Sequence, residues 1–99
     1  MSQEAVAAYA ELEQRVSKST ITIKDSEEEQ YECYKIEEFP NLAKMVREKF
    51  DTVKFVNVEL LINSEDKIDV FNLMFFDDKQ EHVSGCELIP TKVYWDDDM

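Results

Sequence analysis

Residues 52–76, TVKFVNVELLINSEDKIDVFNLMFF, decide the fold. TVKFVNVELLIN and KIDVFNLMFF are rich in β-branched and aromatic residues on both alternations, the pattern of central strands whose two faces are covered. NSED between them is made of turn formers and is short enough for an antiparallel hairpin. DDKQE offers a second turn before HVSGCELI, so the region reads as a meander. Gly85 is the only glycine in the chain. Two-residue turns that need positive φ are therefore not expected, and type I turns or small bulges are. Pro90 ends or kinks the third of these strands, and TKVYW adds a short edge segment before an acidic tail.

Working back toward the N-terminus, SQEAVAAYAELEQRVSKS places Ala5, Tyr9, Leu12 and Val16 at steps of four, three and four, one face of an amphipathic helix. Ser2 is its expected cap, and Glu4 sits near the positive end of its dipole. TITIK has the period-two pattern of a strand. In QYECYKIEE, Tyr31 and Cys33 point one way while Tyr34 and Ile36 point the other, which predicts a strand with both faces partly covered. Pro40 suits the first turn of a second helix, on which Leu42, Met45, Val46 and Phe50 share a face. The expected fold is α+β in the order α, β, β, α, β, β, β: two helices on one face of an antiparallel sheet of four to five strands, a two-layer sandwich. Residues 1–99 form a single domain, with 95–99 a short acidic tail, and the 43% hydrophobic content supplies its core.

Charge is where the composition departs from the ordinary. Eleven Lys and Arg against twenty-three Asp and Glu give −12, beyond the magnitude of about 2–8 at which small domains are soluble. The excess is confined to two runs, residues 25–39 at −6 and residues 64–99 at −7, with the rest of the chain balanced. Two like charges about 10 Å apart in water repel by roughly 0.4 kcal/mol before screening, so each run carries an electrostatic penalty that a function would justify. Nucleic acid and anionic membranes repel such a surface, which leaves a basic protein as the electrostatic complement. No run approaches the length of a membrane span or a signal peptide, so a cytoplasmic location is expected.

Catalytic motifs are weak. Cys33 and Cys86 stand far apart in no paired spacing, which argues against a disulfide framework or a zinc ribbon. His82 and Cys86 are the best candidates for a base and a nucleophile, but no second pair completes a metal site, and Ser84 and Gly85 between them argue against a rigid helical face. NSEDKID and WDDDM lack the glycine and closing glutamate of a calcium loop, and a single glycine makes no phosphate cradle. Neither metal nor cofactor is expected, and an enzyme is the least favoured class.

The acidic runs themselves remain. Alternate positions of a strand are about 6.6–6.8 Å apart, a spacing similar to that of successive backbone phosphates, so carboxylates on such a grid can imitate a nucleic acid. The expected partner-binding residues are Glu27, Glu28, Glu29, Glu32, Glu37, Glu38, Asp77, Asp78, Asp96, Asp97 and Asp98, with Tyr94 and Trp95 as aromatic anchors. Trp95 reads equally well as core. The compact, motif-poor, strongly acidic format resembles the DNA-mimic and anti-defence proteins encoded by phages, including anti-restriction and anti-CRISPR inhibitors; the likeness is one of composition and size. The leading expectation from the charge is a monomeric or homodimeric, non-catalytic inhibitor that blocks the nucleic-acid-binding surface of a basic protein. An immunity protein or antitoxin against a basic toxin, and a structural subunit, are the other readings. All of them require the two acidic runs to share one surface.

Overall fold

The computed structural model describes residues 3–15, 21–24, 26–62 and 68–96. The elements are α1 (Gln3–Arg15), β1 (Ile21–Lys24), β2 (Gln30–Lys35), a single 3₁₀ turn (Ile36–Glu38), α2 (Pro40–Arg47), β3 (Val53–Ile62), β4 (Ile68–Asp77), β5 (His82–Ile89) and β6 (Lys92–Trp95). The six strands form one antiparallel sheet in the order β1-β2-β3-β4-β5-β6, so each strand pairs with its neighbours in sequence. The α+β class with two helices against an antiparallel sheet is as expected, but the sheet has six strands and not four to five. TKVYW makes the additional one: Val93 and Trp95 alternate onto the apolar side, and packing there makes the segment a full strand. The expected cap Ser2, the fourth helix position Val16 and the NSED turn lie outside the described residues.

Both helices pack on one side of the sheet. Ala5, Ala8, Tyr9 and Leu12 of α1 and Leu42, Ala43, Met45 and Val46 of α2 join Tyr34, Val53, Val56, Phe71, Leu73, Phe75, Cys86 and Leu88 in one buried cluster. Helical periodicity on one layer meets strand alternation on the other, and Tyr9 lies edge-on to Phe71 at 5.0 Å. The helices are fastened to each other by Glu11. Its carboxylate is buried, at 7% exposure, and accepts hydrogen bonds from the Asn41 and Leu42 backbone N–H groups at 3.1 Å. The Asn41 side-chain amide donates to it at 3.2 Å. Phe39, at the N-cap of α2, has no oxygen to offer, so a glutamate from α1 does the capping across the interface. At the other end of α2 the Arg47 guanidinium donates to the Val53 carbonyl at 3.3 Å, fixing where β3 begins.

The opposite side of the sheet, called the open face below, is covered by the sheet itself. β2 pairs with β3 only through Cys33–Asn57, Tyr34–Val56 and Lys35–Phe55. Beyond that, the β1–β2 hairpin leaves β3 and folds across the open face, and the Asn57 side-chain amide donates to the Glu32 carbonyl at 2.8 Å where it departs. Two contacts require this curl. Tyr31 and Phe76 are two strands and four residues apart by register, about 16 Å between Cα atoms on a flat sheet, yet their ring centroids are 5.6 Å apart. Lys24 and Ser26 line a common cleft with Lys79–His82, residues that a flat sheet holds about 25 Å apart along the strands. Ile23, Cys33 and Phe76 form a second, smaller buried cluster beneath the hairpin, flanked by Ile21, Tyr31, Phe55 and Met74.

The β4–β5 turn is of the expected kind, a type I turn with a bulge, but two residues other than glycine take a left-handed backbone. Gln80 and Glu28 take positive φ, at 65° and 67°. In the β4–β5 turn the Gln80 N–H donates to the Asp77 carbonyl at 3.0 Å. The Asp77 carboxylate accepts from the Lys79 and Glu81 N–H groups at 2.9 Å. The result is a type I turn followed by a left-handed bulge residue, a position that glycine usually fills. The aspartate's hydrogen bonds offset the strain at Gln80.

Candidate functional site

The curl of the hairpin decides how the acidic runs relate. Its tip, with Glu27, Glu28 and Glu29 beside Ser26, comes against the β4–β5 turn at a cleft of about 550 Å³ lined by Lys24, Ser26, Lys79, Gln80, Glu81 and His82. Glu37, from the first run, and Asp78, from the second, line one shallow depression with Lys35, Lys54 and Phe55. Acids of both runs thus share one end of the sheet, with lysines set between them. Asp96 lies farther off. It continues the β6 register opposite Gly85, to whose carbonyl it donates its N–H at 3.0 Å, three residues of β5 or about 10 Å from His82. Asp97 and Asp98 lie outside the described residues.

Several expected contact residues have internal work. Glu29 accepts from the Tyr31 hydroxyl at 3.0 Å, and Glu32 from the Thr22 hydroxyl at 3.2 Å. Glu38 accepts from the Lys35 N–H at 2.9 Å at the start of the 3₁₀ turn, and Asp77 organises its own turn. Trp95 is on the helix side, half-buried against Phe50 and Phe75 with centroids at 5.8 and 6.1 Å. The Lys49 ammonium lies 5.0 Å over its indole ring. It belongs to the core cluster, whereas Tyr94, next in sequence and on the other side, is 49% exposed.

Catalytic geometry is missing at the one pair that offered it. The β-bulge at Val83 sends His82 to the open face, edge-on to Phe76 at 5.9 Å, while Cys86 is buried on the helix side. Burial, with Asp96 and Glu87 adding to it, pushes the Cys86 thiol up to about 12. Burial, with Glu32, does the same to Cys33. Both thiols are free and stay protonated at neutral pH, which removes them as nucleophiles. Among the described residues no three His, Cys, Asp or Glu side chains converge on a metal-sized site. No described helix is long and apolar enough to cross a membrane.

One surface was not legible in the acidic runs. On the open face outside the hairpin, the register lines up Glu59, Asn72, Glu87 and Tyr94 in one row across β3 to β6. The adjacent row holds Asn57, Met74, Gly85 and Asp96. Glu59 lies outside both runs, and only strand alternation, once it is known which side the helices cover, brings it onto the same face as Glu87 and Asp96. Gly85 is needed in that row: a Cβ there would lie 2.5 Å from the Asp96 carboxylate and 2.7 Å from the Leu73 carbonyl oxygen.

The chain matches no protein-family model, no curated protein and no solved structure. Its function is argued from its own residues.

Proposed function

We propose that the protein is a non-catalytic inhibitor that occupies the basic, nucleic-acid-binding surface of a partner protein. The observation that carries this reading is the depression shared by Glu37 and Asp78, one acid from each run, at the end of the sheet where the hairpin tip at Ser26 also abuts Lys79–His82. A net charge of −12 supports it by steering a cationic partner at long range. Interspersed lysines favour a protein partner with charges of both signs over a uniform polycation, because like-charge mismatches suppress wrong partners. Inhibition is by occlusion: the carboxylates take positions that phosphates would otherwise hold.

The test has two stages. Protein captured from a lysate on the immobilised chain is eluted over roughly 50–500 mM salt, and its binding to duplex DNA and to RNA is measured with and without added chain. The expected results are release within that salt range and loss of nucleic-acid binding when the chain saturates the partner. A variant carrying Glu27→Gln, Glu28→Gln, Glu37→Gln and Asp78→Asn retains its fold and associates more slowly. Capture that is insensitive to both salt and these substitutions, or a partner that still binds nucleic acid when saturated, overturns the reading.

A further inference from the structure

We infer that the open face of β3–β6 is a second docking surface, built to receive a Lys- or Arg-bearing amphipathic helix of the partner. The inference rests on the reading that the partner is basic, and it assigns the contact to a different part of the molecule. Both helices of this chain are committed to the other side of the sheet, and the hairpin covers this side only from β1 to Phe76 and Met74. What remains has a floor and two walls. Val70 and Asn72 on β4 are half-buried, with Met74 at the hairpin's margin, while Glu59 on β3 and Glu87 on β5 are exposed on either side.

Glu59 and Glu87 are two strands apart, about 10 Å, close to the 10–12 Å diameter of an α-helix with its side chains. A helix laid along β4 sets its apolar stripe on Val70 and the neighbouring Leu61 and sends cations outward to a carboxylate on each flank. Tyr94 at 49% exposure, with the Lys92 ammonium 4.9 Å over its ring, and Leu61 at 41% stand at the two borders of the strip, an aromatic and an aliphatic anchor beside charges. Complementarity also decides against a second copy of this chain. Face-to-face pairing brings Glu59, Glu87 and Asp96 of both copies together, between bodies that each carry −12.

The test uses the isotope-labelled full chain and two synthetic helical peptides of equal length and identical leucine stripe, one flanked by lysines and the other by glutamates. The lysine peptide is expected to shift the NMR signals of Asn57, Asn72, Glu87 and Tyr94. Tyr94→Ala, and separately the pair Glu59→Gln with Glu87→Gln, weaken its binding about tenfold, with thermal midpoints close to that of the parent. The variant neutralised at Glu27, Glu28, Glu37 and Asp78 still binds it. Absence of saturable binding, equal binding of the glutamate peptide, shifts confined to the hairpin tip or the helices, or peptide-free self-association that shifts the same signals each overturns the inference. The two proposals fail separately. Peptide binding on the open face alongside a captured partner that keeps its nucleic acid sinks the inhibitor reading alone. Occlusion that survives Tyr94→Ala, with the peptide mapping to the hairpin tip, sinks this inference alone.

Discussion

Among the described residues, the helix side of the sheet has eighteen buried residues in one continuous cluster, drawn from both helices, β2 to β5 and the turn before α2; on the open side, the buried cluster is Ile23, Cys33 and Phe76. Both sides present apolar strand residues, and they differ in what closes over them. Two helices cover most of the first, leaving Leu60 near the end of β3 exposed. The second has only a two-stranded hairpin bent back from one edge, so β3 to β6 keep a strip of half-buried and exposed side chains. An antiparallel sheet can leave one side wetted provided polar residues alternate there, and Asn57, Glu59, Asn72 and Glu87 do so. The lesson is that one sequence of strands supports a permanent layer on one side and an unoccupied, charged strip on the other.

The largest expected effect contrasts the two clusters directly. Phe71→Ala, beneath the helices, should lower stability by about 3–5 kcal/mol. Phe76→Ala, beneath the hairpin, should cost less, about 2–3 kcal/mol, because Tyr31 and His82 can settle into the vacated space. Urea midpoints of the two variants decide it, and equal losses would erase the distinction between a closed and a partly closed side. Next comes the link that holds the helical layer together. Glu11→Ala leaves the Asn41 and Leu42 N–H groups without their acceptor and should cost about 1–3 kcal/mol, with Glu11→Gln milder because one amide oxygen remains.

On the open side, Gly85→Ala should cost about 1–2 kcal/mol by overpacking. Adding Asp96→Ala recovers only part of that, since the Leu73 carbonyl at 2.7 Å stays in the way; full recovery would mean that the carboxylate alone sets the need for glycine. The smallest effect is a gain. Gln80→Gly relieves a left-handed residue and should raise stability by about 0.5–1 kcal/mol, read as a higher thermal midpoint, with no effect on either cluster.

Much of the helix side was legible in the sequence. Ala5, Tyr9 and Leu12 recur at helical spacing, Pro40 marks the start of α2, and the alternation of Tyr34, Val56, Phe71, Leu73 and Phe75 places one face of each strand inward. Less of the open side was. A run such as FVNVELL is apolar enough on both alternations to read as fully covered, which hid Glu59 as a surface residue and left TKVYW as a short edge segment. The hairpin's curl has no local signature, because it depends on where β2 stops pairing with β3. The role of Glu11 has no local signature, since a carboxylate on a helix is ordinarily solvated and only the tertiary fold brings two backbone donors to it. For the candidate site, the sequence displays the acids as a set of charges. Which of them organise turns and caps, as Asp77 and Glu38 do, is decided by backbone donors that the sequence does not display.

The reach of Glu11 across thirty positions to Asn41 also bears on how the chain is made. Synthesis proceeds at about 5–20 residues per second, so the first helix leaves the ribosome seconds before the amides it serves. Through that interval its carboxylate is hydrated and the two-helix layer is incomplete, and a chain stopped short of Leu42 never completes it. The order of manufacture therefore matches the order of dependence, with the first-made helix already holding the acceptor that the later-made turn needs.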